Sequence, residues 1–233
     1  MNRFRGAVAR NLLGFCGLLF VVGIVACGGG AGTAQTTATT EAVGTTTATI
    51  GVTSSTVTSA IGDLEPIVVP TLPATIPATN EVDPATGLHM TGKPVVVDLA
   101  SYRLKVNGKV ARELSLSYDD LRRLPKVTAR LTVVCSAAMY VVFADTATWS
   151  GVALKTIFDM AGLQPDAKQI TMKAADGYSD TLPLDGALQP DNLLAYAWMG
   201  QPLPVLHGFP LRAVIPHRNG YHSVKWLLEI VVE

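Results

Sequence analysis

The sequence predicts an α+β domain, built of mixed β-sheets with a few short helices, and three observations carry that prediction. From Lys93 onward, short β-branched and apolar runs recur between turns rich in Gly, Pro, Asn and Asp. Two segments show helical spacing with recognisable ends, and both are short. No internal repeat is evident, so the strands belong to one domain and not to a stacked array.

Taken in order, "PVVVDL" and "YRLKVNGKV" read as strands, with Asn107-Gly108 as a hairpin turn. "LSYDDLRRLP" reads as a short helix: Ser117 is the N-cap, Asp120 sits three residues on, and Pro125 ends it. "TARLTVVC" alternates and then turns fully apolar, a strand entering the core with Cys135 at its end. In "WSGVALKTIFDMAGL", Val152, Leu154, Ile157, Phe158 and Ala161 share a helical face, and Gly162 supplies the stop. "QITMKAADGYSDTLPL" is a strand, a turn at Asp176-Gly177 and a second strand. "NLLAYAWMGQPLP" is a strand running into a Gly/Pro turn, and "FPLRAVIP" and "HSVKWLLEIVV" close the chain as strands.

The region upstream has a different character. Arg3, Arg5 and Arg10 precede "LLGFCGLLFVVGIVA", an apolar run too short for the ~20 residues of a membrane span but suited to a signal peptide. It ends "IVACGGG", which resembles the lipobox of bacterial lipoproteins. Residues 1–27 are therefore expected to be a signal peptide, with Cys27 lipidated and Cys16 removed with the leader. Residues 28–85 are Thr/Ala/Gly/Ser-rich with almost no charge to about Gly62 and then Pro-punctuated, and read as a disordered tether. The domain itself is expected over 93–233. That arrangement implies an extracytoplasmic protein anchored to the cell membrane.

The formal net charge is zero, and from Lys93 onward 15 Lys+Arg stand against 13 Asp+Glu. No basic excess points to nucleic acid. With Cys27 lipidated, Cys135 is the lone thiol of the domain, and an internal disulfide is excluded. Read by itself, a thiol in an apolar run is ordinarily a small core hydrophobe.

The C-terminal third concentrates the chemistry, with His207, Arg212, His217, Arg218, His222 and Lys225 among turn-forming glycines and prolines. Arg212 lies on an apolar strand, where a cation is costly unless paired with an anion. No carboxylate occurs between Asp191 and Glu229, which favours a bound anionic ligand. His217 and His222 lack a third ligand of the right type nearby and read as surface residues, and Tyr178 and Tyr221 read as turn packing.

"LLAYAWMGQPLPVLHGFPLRAVIP" followed by "GYHSVKWL" resembles the molybdopterin-binding domain of the sulfite oxidase family. "LSYDDLRRLP", the strand ending in a cysteine, "WSGVALKTIF" and "ADGYSDTLPL" stand upstream in that family's order. The resemblance covers 93–233 and implies a molybdenum–molybdopterin oxidoreductase acting by oxo transfer on a small substrate. It implies that Cys135 is the thiolate ligand of molybdenum, and that His207 and Arg212 contact the cofactor. Ser223, Val224 and Lys225 would receive the pterin phosphate, and Asp176 is the candidate for a further polar contact.

The chain also departs from those relatives. "HMTGKPVVVDL" only faintly echoes their arginine-bearing segment, and "SAAMYVVFADTATW" offers few polar side chains for an anionic substrate such as sulfite. No C-x-x-C-H haem-attachment motif is present, so no haem is expected and a separate electron-transfer partner is implied. The chain ends eight residues after Lys225, without the relatives' dimerisation domain, so a monomer is expected. Arg3 and Arg5 are not adjacent, unlike the twin arginines that export folded cofactor proteins. The competing reading is therefore a cofactor-free surface lipoprotein that uses the same fold as a binding module.

Overall fold

The computed structural model describes residues 64–137 and 141–233, with side chains for all of these except 135–137 and 141–143. The expected signal segment 1–27, with Cys27, and most of the expected tether lie outside the described residues. Ten strands and three short helices among the described residues form two sheets around one apolar core, in agreement with the expected α+β class.

The first sheet has the order β2-β1-β10-β5-β6. It comprises β1 (Leu104–Gly108), β2 (Leu114–Leu116), β5 (Gln169–Ala174), β6 (Ser179–Pro183) and β10 (Leu227–Val232). β5 and β6 form the expected hairpin around Asp176-Gly177, and Gly177 supplies the positive φ of +87° that the turn needs. Asn107-Gly108 is not a hairpin turn. Both residues belong to β1, which pairs in parallel with β10, Gly108 lying opposite Val232. A Cβ at position 108 would stand 2.1 Å from the Val232 carbonyl oxygen, so this glycine serves close backbone approach. "PVVVDL" forms no strand; it runs without sheet partners, with Val97 and Leu99 packed against the core.

The second sheet has the order β3-β4-β7-β8, with β9 on β7. β3 (Lys126–Ala137) and β4 (Val141–Ala153) make a long antiparallel pair in which Val133 faces Asp145 and Cys135 faces Phe143. β7 (Leu193–Trp198), β8 (Gln201–Pro202) and β9 (Arg212–Val214) follow. The expected helix at "WSGVALKTIF" begins later than its spacing predicts. Val152 pairs with Leu194 in the sheet, and α2 runs Leu154–Ala161. Its buried face is Leu154, Ile157, Phe158 and Ala161, each large apolar side chain contributing about 1.5–3 kcal/mol by burial.

α1 (Tyr118–Arg123) is capped as its sequence requires. The Ser117 hydroxyl accepts from the Asp120 N–H, the Asp120 carboxylate accepts from the Ser117 N–H, and Leu124 precedes Pro125 at the end. α3 (Leu184–Ala187) is a single turn. "HSVKW" is not strand: a 3₁₀ turn at Gly220–His222 and a left-handed Trp226 (φ +48°) deliver the chain into β10.

Candidate functional site

A cavity of about 210 Å³ opens where the β3–β4 pair, the β5–β6 turn, β9 and the segment entering β10 converge. Its wall includes Val133, Asp145, Asp176, Arg212 and the run Ser223–Trp226, joined by His89, Thr91 and Gly92 from the segment ahead of β1.

Arg212 and Lys225 are brought together by backbone pairing. Ala213 N–H donates to the Val224 carbonyl at 2.8 Å, and Leu227 N–H donates to the Leu211 carbonyl at 2.8 Å. Gly208, at φ +109°, permits the approach, because a Cβ there would lie 3.0 Å from Arg212 Cβ and 3.1 Å from Lys225 Cβ. Arg212 is 6% exposed and Lys225 8%. The Arg212 guanidinium stacks 4.8 Å from the Trp149 ring centre and donates long bonds to the carbonyls of Ala213, His207 and Ser223. Lys225 Nζ donates to the carbonyls of Thr91 (2.9 Å) and Leu206 (3.1 Å). Among the described residues neither cation has a carboxylate within 4 Å.

Electrostatics report the same deficit. Burial lowers the pKa of Arg212 to about 10, with the charge of Asp145 acting in the opposite sense. Burial, and then the neighbouring Arg212, lower Lys225 to about 7, against the pull of Asp145, Asp176 and Asp83. Two adjacent buried basic groups without an ion pair among the described residues are suited to an anion. Ser223 Oγ accepts from the Ile215 N–H at 3.0 Å, which leaves its O–H to donate. Val224 and Asp176 also line the cavity, the Asp176 carboxylate accepting from the Tyr178 N–H at 3.0 Å.

Two expected site residues stand elsewhere or beyond view. His207 does not line the cavity; it is fully buried behind the two cations. Its Nε2 lies 2.9 Å from Asp83 Oδ2 and 2.9 Å from Thr86 Oγ1, while Nδ1 has no hydrogen-bond partner among the described residues. Burial, then repulsion from Lys225, lower its pKa to about 4, which keeps the ring neutral. Burial opposes the Asp83 carboxylate, but hydrogen bonds from His207, the Ala85 N–H and Thr86 hold its pKa below the ordinary value. An ionised carboxylate only accepts, so Nε2 carries the ring proton and Nδ1 is an acceptor. Cys135 continues β3 two positions beyond cavity-lining Val133, and its side chain lies outside the described residues.

Sequence reasoning missed Asp83, within the stretch expected as tether, and the His89–Asp145 pair on the cavity wall. Asp83 is 5% exposed and packed into the domain. Asp145 was the available signal: a lone carboxylate in an otherwise uncharged strand, able to partner cations remote in sequence. His217 pairs with Asp191 and His222 with Asp180, and the described residues contain no cluster of His, Cys, Asp and Glu that could hold a metal ion.

A chain whose buried cations and cavity suit an anionic group also carries the sequence of one protein class. Residues 90–233 match the family described as "Oxidoreductase molybdopterin binding domain", and the chain belongs to this sulfite oxidase-like family. The chain is 35% identical over 140 residues to the uncharacterized oxidoreductase YuiH of Bacillus subtilis (strain 168), covering 60% of this chain and 69% of that protein. It is 33% identical over 161 residues to the mitochondrial sulfite oxidase of Drosophila melanogaster, covering 59% of this chain but 28% of the relative. The sulfane dehydrogenase SoxCD of Paracoccus pantotrophus shares the fold, with a TM-score of 0.55 at 22% identity over 76% of this chain and 54% of that one.

The residues present fit the family's cofactor. A pterin phosphate is an anion, and Arg212, Lys225 and Ser223 offer two unpaired buried charges and a hydroxyl donor on one wall. Gly92 keeps that wall open, since a Cβ there would meet the Trp226 ring at 2.9 Å and the Asp176 carboxylate at 3.2 Å.

Proposed function

We propose that this chain is an extracytoplasmic, membrane-tethered molybdenum–molybdopterin oxidoreductase that exchanges an oxygen atom with a small substrate and passes electrons to a separate redox partner. The observation that carries the reading is the adjacent buried pair Arg212 and Lys225, unpaired with any described carboxylate and facing a cavity in a chain of this family. When bound, the cofactor supplies two-electron oxo-transfer chemistry. The protein's part is to hold and enclose it. Arg212 and Lys225 would neutralise the phosphate and Ser223 would donate to it, with Asp176 also lining the cavity. The Cys135 thiolate, a soft donor, is proposed as the protein ligand to molybdenum. His207 acts from behind by bracing the backbone, its carbonyl accepting from Arg212.

The basic, apolar and Cys27-containing N-terminal sequence supports membrane tethering by a lipid. No helix among the described residues is long and apolar enough to cross a membrane. The test is to measure molybdenum and pterin per chain in protein purified from its native compartment, with Cys135→Ser beside it. Stoichiometric pterin and metal in the wild type, with metal strongly reduced in the variant, are expected. Correctly exported protein lacking both overturns the reading and leaves the binding module.

A further inference from the structure

The loop that follows β9 runs along one side of the cavity and ties one sheet to the other. Its base is closed twice: Ser223 Oγ accepts from the Ile215 N–H at 3.0 Å, and the Ala213 N–H donates to the Val224 carbonyl at 2.8 Å. Residues 216–222 form the span between, and Gly220 and Tyr221 line the cavity. The 3₁₀ turn Gly220–His222 is built locally. The Asn219 side chain accepts from the Tyr221 N–H, and the Ser223 N–H donates to the Gly220 carbonyl. At the start of the turn, Asn219 forms an isolated parallel bridge with Val134 of β3, in the second sheet. At its end, His222 meets Asp180 of β6, in the first sheet.

Three ion pairs hold this strap to its surroundings, and burial separates them. His217 with Asp191 (2.9 Å) and Arg218 with Asp185 (3.4 Å) are exposed, where water and salt screen the attraction. His222, expected at the surface, is largely sheltered. Its Nδ1 lies 2.5 Å from Asp180 Oδ2, and the two side chains are only 12% and 14% exposed. A short, sheltered hydrogen bond to a carboxylate is among the stronger contacts a loop can make. The Tyr221 ring packs on the same imidazole, with centroids 4.2 Å apart, and the Tyr178 hydroxyl donates to the Tyr221 carbonyl at 3.1 Å. Tyr178 and Asp180 both follow the Asp176-Gly177 turn, so one arm of the β5–β6 hairpin makes both contacts.

His222 immediately precedes Ser223, the first residue of the run proposed to receive the phosphate, so whatever fixes its ring fixes the entry to that run. Asp180 and His222 do not line the cavity themselves, and their effect on it passes through the strap. Resting on the cofactor reading above, we infer that Asp180 is a positioning residue: through His222 it pins the strap 215–223 to the β5–β6 hairpin, holds Ser223–Lys225 beside Arg212, and bars the cofactor from leaving between strap and hairpin.

The experiment follows pterin release from purified, loaded protein, read as pterin fluorescence in the filtrate over time, at several urea concentrations below the unfolding transition. Asp180→Ala should release pterin about tenfold faster than wild type. His222→Ala breaks the pair from the other side and should behave the same way, which covers the case of an Asp180→Ala variant that does not fold. Asp180→Asn keeps an acceptor for the imidazole N–H and should stay within about threefold of wild type. Asp191→Ala removes an exposed pair from the same strap and should release at the wild-type rate. Escape past a lifted strap is local opening and depends little on urea, whereas escape by global unfolding accelerates steeply with it. Fast, urea-insensitive release in Asp180→Ala and His222→Ala but not in Asp191→Ala is the expected result. Release at the wild-type rate in the first two, equal acceleration in Asp191→Ala, or accelerated release that climbs steeply with urea overturns the inference. Pterin content of the starting samples separates the two failures. Loaded protein that gives any of those results overturns the positioning role alone, and wild type that never carries pterin overturns both.

Discussion

His207 is held by residues that sequence spacing does not connect to it. Asp83 and Thr86, more than 120 positions earlier, both reach its Nε2, and Asp83 stands outside the segment 90–233 that matches the family. The backbone of the same turn meets both basic residues, the His207 carbonyl accepting from Arg212 and the Leu206 carbonyl from Lys225. Replacing Asp83 by alanine leaves the buried Nε2–H with only the Thr86 hydroxyl near it. The cost should be about 1–3 kcal/mol, read as a lowered denaturant midpoint at unchanged slope. An unchanged midpoint would mean that the contact contributes nothing to the fold.

At the scale of elements, what was legible was local. The α1 capping box, the buried face of α2, the β5–β6 turn and the Met199-Gly200 turn between β7 and β8 all depend on neighbours within a few residues, and all were readable. Asn107-Gly108 misled because a glycine that permits a hairpin turn also permits close packing of a parallel strand, and β10 arrives from the far end of the chain. Val152 misled because a fully buried strand and a buried helical turn look alike by apolar spacing. The candidate site divides the same way. Arg212, Ser223, Val224, Lys225 and Asp176 line one cavity. His207 lies behind that cavity, and His89, Asp145 and Asp83 were hidden because their partners are set by tertiary pairing alone.

For the molecule as a whole, the two buried bases make stability depend on pH in a defined sense. His207 titrates near 4 in the folded state against 6.5 unfolded, and Lys225 near 7 against 10.5. In each window the unfolded chain binds more protons, so stability rises with pH and is lost as pH falls through it. Cofactor-free protein should therefore gain stability from pH 7 towards pH 10, where tyrosines such as Tyr118, raised to about 12 by burial, begin to act in the opposite direction. Lys225→Met should flatten that upper rise, and urea titrations across the range would check it. An anion seated against Lys225 favours its charged form, so loaded protein should show a shallower slope as well.

The central claim is that the buried Arg212–Lys225 pair exists to receive the cofactor's anionic end. Pterin per chain, quantified in wild type beside Arg212→Gln and Lys225→Gln, tests it most directly, because it reads the phosphate contact without requiring a substrate. Near-stoichiometric pterin in wild type and at least a tenfold loss in each folded variant are the predicted result. Full pterin retention in both variants would contradict the account.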